Sequence, residues 1–298
     1  MGLSDEQAYL ALAEYIVMIM CLSVSSVLST LLLYYQHKFK QPLSYMLTTY
    51  LYVILLECAL SFPNVVYMTL FWKKTNPQYN GVIIYYTGIS SHIAIVQYEV
   101  ATFFLLVERN LTLHFPFSQN KLRYLIHLTF IAGAAACVPT IPLSLMTPIS
   151  AKTKDACWAI NCSVDNFKNG YFIYMKVLLC MMNSFAGVFF IISLKKHNKT
   201  VRNLTSTEAS ASSGQSKSQK TSNKIVMYSF ALSLMVDFLP AIADIVIYNV
   251  TGRTLSHYVG PYSRLGSFLG VLFSSVIYYR MMRKTHVTKH AVVTVIRT

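Results

Sequence analysis

Seven apolar segments, each long enough to cross a lipid bilayer as a helix, constrain the fold of this chain more than any other feature. They cover about residues 12–35, 43–71, 82–107, 124–146, 170–194, 225–249 and 261–281. A helix rises about 1.5 Å per residue, so about 20 residues cross a hydrocarbon core of about 30 Å. Only 12% of the residues are charged, about half the fraction found in soluble domains. The sequence therefore predicts an all-α membrane protein, a single seven-transmembrane helix bundle over residues 1–298.

The distribution of basic residues predicts how the chain is threaded through the bilayer. The segments that follow spans one, three, five and seven, together with Arg280 at the end of span seven, carry 17 Lys and Arg, against 6 in those that follow spans two, four and six. Because basic loops stay on the cytoplasmic side, we expect the N-terminus outside the cell. The net charge of +14 then reflects topology. No nucleic-acid-binding motif accompanies it, so the expected surroundings are a lipid bilayer and no nucleic acid.

Two segments outside the spans carry predictions of their own. Residues 200–222 consist mostly of Ser, Thr, Lys and Gln, a composition that cannot bury enough apolar surface to repay the entropy of ordering. We expect them to form a disordered third intracellular loop. Residues 282–298 are predicted to be a short cytoplasmic tail.

The third span ends in a charged motif where it leaves the membrane. Glu108, Arg109 and Asn110 close the span, and Pro116 follows seven residues after the arginine. Proline lacks a backbone donor and clashes with the preceding turn, so it ends regular helix. The motif thus predicts an arginine at the cytoplasmic membrane face, followed by a short loop.

Two later spans contain further landmarks. Span six carries Phe238 and Pro240 near mid-membrane, where the missing donor of the proline predicts a kink. Span seven ends at Tyr278, directly before a basic stretch.

These landmarks, in this order, resemble the rhodopsin-like G-protein-coupled receptors. In that family the third helix ends in acid-arginine-aromatic with a proline seven residues later, helix six has an aromatic before its kink proline, and helix seven ends in Asn-Pro-x-x-Tyr. The resemblance implies that Glu108 holds Arg109 at rest. It assigns G-protein coupling and activation to seven residues here: Glu108, Arg109, Asn110, Pro116, Phe238, Pro240 and Tyr278.

The departures from that family are systematic. Ile84 stands at the helix-three cysteine, helix four lacks its tryptophan, and Ser274 and Ser275 replace the Asn-Pro of helix seven. With the short tails, this pattern is similar to the divergent nematode serpentine chemoreceptors, class bc. The resemblance implies a chemosensory receptor in the plasma membrane of sensory neuron cilia. Such a receptor passes binding of a small ligand to a heterotrimeric G protein, with no cofactor and no enzymatic activity.

Four ionisable residues lie within the outer half of the predicted spans, where receptors of this family bind ligands: His92, Lys176, Asp244 and Arg264. Ionisable groups at such depth are costly in lipid and usually face the bundle interior. Two arrangements remain open. Asp244 pairs with Lys176 or Arg264 as internal structure, or the cations receive an anionic or carbonyl-bearing ligand.

Intramembrane acids also permit a second class of protein. Glu57, Glu99 and Asp237, with His92 and Asp244, could carry protons or ions in a multi-span transporter or a membrane enzyme. Neither an inverted repeat nor an HExxH spacing accompanies them. The receptor interpretation is therefore preferred, and no metal site is expected.

The second outer loop contains two cysteines close together. Cys157 and Cys162 lie on the side where disulfides are chemically permitted. A Cys157–Cys162 disulfide is the favoured replacement for the one typical of the family, with free thiols and inter-chain pairing left open. Asn161 begins an Asn-x-Ser pattern and is a candidate glycosylation site.

Overall fold

The structure, a computed structural model, describes residues 5–39, 44–74, 79–115, 122–139, 166–205, 227, 230–232, 234–252, 255 and 260–297. These residues are helical apart from short connections. The helices are α1 (Asp5–Phe39), α2 (Tyr45–Leu70), α3 (Gly81–His114), α4 (Tyr124–Cys137), α5 (Asn166–Thr205), α6 (Leu239–Thr251) and α7 (Tyr262–Arg297). A π-helical turn, Leu234–Phe238, leads directly into α6.

Five helical segments of the described chain are long and apolar enough to cross a membrane: Glu6–Lys38, Tyr45–Leu70, Gly81–His114, Tyr171–His197 and Phe230–Thr251. Tyr124–Cys137 is a shorter apolar helix. Since backbone polar groups must be satisfied internally in lipid, such segments are helical. The predicted all-α membrane architecture is confirmed.

Two helices extend well beyond the predicted spans. Helix α5 continues to Thr205, so residues 200–205 are helical although the sequence predicts disorder from 200. Helix α7 runs to Arg297, through most of the predicted cytoplasmic tail. A helix that is already nucleated gains a hydrogen bond with each residue added, which explains why both continue beyond the apolar residues. The rest of the predicted inner loop lies outside the described residues.

The largest buried cluster joins α1, α2, α3, α4 and α7, and Met18, Tyr50 and Phe268 are among its fully buried side chains. Smaller clusters connect α3 to α5 through Leu106 and Phe190, and α5 to α6. Helix α3 therefore contacts both halves of the bundle. Its residues are placed to reach side chains on several other helices.

Helix α7 packs tightly against the π-helical turn. A Cβ added at Gly266 would collide with the carbonyl oxygen of Val236, and one at Gly270 would lie 2.8 Å from Oδ2 of Asp237. Val236 stands four residues before Pro240, whose missing N–H cannot bond to that carbonyl. The π-helical turn thus coincides with the kink that the proline predicts, and two glycines let α7 approach it.

Candidate functional site

We call the end of the bundle that carries Arg109 the inner end and the end that carries Arg264 the outer end. At the inner end, the Ser44 hydroxyl donates to Oε2 of Glu108 over 2.9 Å. Ser44 Oγ also accepts from Arg109 Nη2 over 3.5 Å and from the Leu47 backbone N–H over 3.2 Å. Ser44 is the N-cap of α2. The start of α2 therefore holds the charged end of α3.

The direct contact expected between Glu108 and Arg109 is absent from the described structure. Adjacent residues on a helix project about 100° apart and do not face each other. Glu108 is buried, with 4% of its surface exposed, and its hydrogen bond goes to Ser44. The acid and the arginine are joined through that hydroxyl, which corrects the expectation that Glu108 holds Arg109 by itself.

Asn110 connects α3 with α5. Its amide nitrogen donates to the carbonyl oxygen of Leu106 over 3.2 Å and to that of Ala186 over 3.4 Å. A side-chain amide nitrogen can donate to both carbonyls because it carries two N–H groups. Pro116 lies outside the described residues.

Tyr278 lies buried near the inner end, within electrostatic range of Arg109 and Glu108. Its ring is 6.0 Å from that of Tyr50, in an edge-on arrangement. Tyr50 donates from its hydroxyl to the Tyr98 hydroxyl over 3.1 Å. Three tyrosines from α2, α3 and α7 thus form one connected group beside the charged network.

The three tyrosines also line a cavity of about 40 Å³. That volume is enough for a few water molecules, and its lining supplies polar groups that could bind them. The lining includes two residues assigned to activation, Phe238 and Tyr278, together with Glu99, Asn183, Asp237 and Ser274. Pro240 follows the π-helical turn that borders this cavity.

Three acids are buried at mid-bundle: Glu57 is 0% exposed, Asp237 1% and Glu99 2%. Asn183 of α5 donates to Oε2 of Glu99 over 2.6 Å and to its backbone carbonyl over 3.2 Å. Within the described residues, no three His, Cys, Asp or Glu side chains are grouped so that they could hold a metal ion.

At the outer end, Arg264 joins α7 to two other helices. Its Nη1 donates to Oδ1 of Asn64 on α2 over 2.9 Å, and its Nη2 donates to the carbonyl oxygen of Gly88 on α3 over 3.2 Å. Asn64 in turn donates to the Thr87 hydroxyl over 2.9 Å. The arginine is half-buried.

Lys176 of α5 donates three hydrogen bonds to α7: to the carbonyl oxygen and hydroxyl of Ser263, over 2.8 and 2.9 Å, and to the Ser267 hydroxyl, over 3.1 Å. Asp244 is buried beside Tyr262 and Ser263 and within electrostatic range of Lys176. Neither Lys176 nor Arg264 forms an ion pair with an acid anywhere in the described chain. The direct pairing of Asp244 that the sequence left open is therefore not what the structure shows.

His92 lies one helical turn beyond Gly88 on α3. Its ring centroid is 4.1 Å from that of Phe172, and Arg264 and Lys176 are its charged neighbours. The buried Nε2 atom has no hydrogen-bond partner among the described residues. His92, Lys176, Asp244 and Arg264 thus gather at the outer end. Cys157, Asn161 and Cys162 lie outside the described residues.

Sequence reasoning missed the neutral residues that connect the charged ones: Ser44, Asn64, Asn183 and Ser263. Each is a small polar residue buried or half-buried between helices. The signal that could have found them is the position of Ser44 before a helix, where serine is a favoured N-cap. Asn64 and Asn183 stand out as amides inside apolar spans, where such groups bond to other helices.

A bundle of membrane-length helices, with an arginine network at one end and ionisable residues gathered at the other, is the arrangement expected of a seven-transmembrane receptor. The family model described as "Serpentine type 7TM GPCR chemoreceptor Srbc" matches residues 8–286. The chain belongs to this family of G-protein-coupled chemoreceptors, which confirms the resemblance inferred from its motifs. No curated protein matches the sequence.

Proposed function

We propose that this receptor converts binding of a small extracellular ligand into activation of a heterotrimeric G protein at the plasma membrane. The observation that carries the proposal is the network at the inner end, where Ser44 links Arg109 to Glu108 and to the first turn of α2. An arginine held by one shared hydroxyl can be released by a small movement. It then offers a guanidinium to acceptors on a partner.

The proposed mechanism connects the two ends through the middle of the bundle. His92, Lys176, Asp244 and Arg264 lie on α3, α5, α6 and α7, so a ligand bound among them would contact several helices at once. Displacement of α7 would act on the π-helical turn, because Gly266 and Gly270 lie directly against it. Phe238 and Tyr278 line the same cavity, so a shift there would alter how the π-helical turn packs against α7, whose Tyr278 lies near Arg109. Such a change is a two-state rearrangement that ligand and G protein both bias.

The experiment is nucleotide exchange on G-protein α subunits of several subtypes, measured with the receptor in membranes and with receptor-free membranes as background. We expect exchange above background, and its loss in Arg109→Ala at matched receptor amount. Arg123→Ala is the matched control. Arg123 is an exposed inner arginine whose guanidinium stacks on the Tyr45 ring at 4.4 Å. Wild-type exchange in Arg109→Ala would refute the proposed role of the network.

A further inference from the structure

The charge of Arg264 is not balanced by an acid in the part of the chain that the structure describes. Its two hydrogen bonds end on neutral oxygens, those of the Asn64 amide and the Gly88 carbonyl. Among the described residues, its electrostatic neighbours are Tyr15 and His92, and neither is an acid that is charged at neutral pH. A cation in a membrane-spanning segment is costly unless an opposite charge compensates it. We therefore expect an anion to bind beside Arg264.

Lys176 is in a different situation although it also donates only to neutral oxygens. Asp244 lies within its electrostatic range, and so do the deeper acids Glu57 and Glu99. Its ammonium is held by three hydrogen bonds to Ser263 and Ser267, which use all three of its donors. Lys176 is therefore a structural link between α5 and α7. The uncompensated positive charge of the outer end belongs to Arg264.

His92 completes the surroundings of this arginine. Gly88 and His92 are four residues apart, so they occupy one face of α3 in successive turns. Arg264 contacts the carbonyl of Gly88, which points along the helix toward His92. The Nε2 atom of His92 has no partner among the described side chains. A guanidinium has five N–H groups, and the described residues engage two of those of Arg264.

We propose that the ligand of this receptor is a small organic molecule with a carboxylate that binds between Arg264 and His92. The free N–H groups of Arg264 match the geometry of a carboxylate, and Nε2 of His92, as a donor, adds one hydrogen bond. The ring of Phe172, 4.1 Å from that of His92, offers an apolar surface to the rest of the molecule. The inference rests on the proposed function, since it names the class of ligand for the same outer site.

The test is direct binding to the full chain, purified in nanodiscs of phosphatidylcholine and followed by thermal unfolding. The probes are a panel of carboxylates that includes acetate, hexanoate and benzoate, each paired with its neutral amide, and sodium chloride. We expect at least one carboxylate to raise the Tm by a few degrees at saturation, with no comparable shift from its amide or from chloride.

Substitutions then locate the site. Arg264→Gln should weaken the apparent affinity for that carboxylate at least about tenfold, as expected for loss of a charged hydrogen-bonding partner. Lys74→Gln removes an exposed cation from the same end and should leave the affinity unchanged. Arg264 also ties three helices together, so Arg264→Lys and His92→Gln provide variants that disturb the fold less. Both should weaken binding by several-fold.

Three other results in the binding assay overturn the inference. No stabilisation by any carboxylate beyond its amide refutes the ligand class, and unchanged affinity in Arg264→Lys and His92→Gln refutes the site. Stabilisation only in nanodiscs that contain phosphatidylglycerol identifies a lipid phosphate instead of a soluble carboxylate. Since the readout is binding, a receptor that binds carboxylates but promotes no nucleotide exchange would refute only the proposed coupling. A receptor that promotes exchange but binds none would refute only this inference.

Discussion

The Ser44 hydroxyl donates to Glu108 over 2.9 Å, while Ser44 Oγ accepts from Arg109 and from the backbone N–H of Leu47. One hydroxyl at the first turn of α2 therefore caps that helix and restrains the end of α3. The contact with Arg109, at 3.5 Å, is long and correspondingly weak. A single substitution at this position separates the arginine from the acid without changing either charge.

We predict that Ser44→Gly raises nucleotide exchange in the absence of ligand. Glycine is nearly as good an N-cap as serine, with a cost of only a few tenths of a kcal/mol, but it has no hydroxyl to join Glu108 and Arg109. One hydrogen bond contributes about 0.5–1.5 kcal/mol to the resting state, so basal exchange should rise about two- to tenfold. The measurement is exchange per receptor at matched amount.

Asn80→Gly is the matched control for this prediction. Asn80 is the N-cap of α3, where its Oδ1 accepts from the backbone N–H groups of Val82 and Ile83. It lies at the outer end, far along α3 from Arg109. Basal exchange should stay at the wild-type level in this variant. An equal rise in both variants would attribute the effect to helix capping and contradict the role of Ser44 as a link.

The hydrogen bond between Asn183 and Glu99 is expected to stabilise the folded receptor. Asn183→Leu removes a donor that lies 2.6 Å from a carboxylate oxygen that is otherwise enclosed. An enclosed acceptor that loses its partner costs about 1–3 kcal/mol. We expect a clear drop in the Tm of the purified receptor. The molecules that do fold should remain in the membrane.

A double-mutant cycle with Glu99→Leu distinguishes this hydrogen bond from simple packing. If the bond accounts for the loss, Asn183→Leu should cost much less in the Glu99→Leu background, because no orphaned carboxylate remains. Additive losses in Tm would show that the two side chains do not depend on each other.

Alanine substitutions at the two glycines of α7, Gly266 and Gly270, are expected to destabilise the receptor to different extents. At Gly266 a new methyl group would meet backbone, the carbonyl oxygen of Val236, whereas at Gly270 it would meet the end of the Asp237 side chain. A side chain can rotate away more readily than a backbone carbonyl inside a bundle. Gly266→Ala should therefore destabilise the receptor by about 1–3 kcal/mol, as overpacking does, and Gly270→Ala by less. Thermal unfolding of both variants measures this, and the reverse order would contradict the described packing of α7.

The helical spans were predictable from sequence because lipid leaves so few choices. A long apolar segment in a bilayer must satisfy its own backbone, which makes it helical whatever its neighbours are. The inner landmarks were predictable too, since Arg109 and Tyr278 are marked by local sequence patterns. Helix ends were less predictable, as α5 and α7 show, because a helix can continue into water beyond its apolar residues.

The contacts between these landmarks could not be predicted, because they depend on how each helix is rotated about its axis. Arg264 bonds to Asn64 and Gly88, which are 200 and 176 residues away in sequence. Charge pairing suggested Asp244 as the partner of a cation. In the structure, serines and amides take that role at both ends, and such residues are too common in membrane helices to be singled out by type alone.

The last prediction concerns which end faces the cell exterior. The segments at the Arg109 end contain 17 Lys and Arg, against 6 at the other end, and basic loops are retained in the cytoplasm. An epitope tag at the N-terminus should therefore bind antibody on intact cells, and a tag inserted in 206–222 only after permeabilisation. Both tags are placed in the same chain, so each serves as the control for expression of the other. If the inserted tag is accessible on intact cells, the orientation is reversed, and Arg109 cannot meet a cytoplasmic G protein.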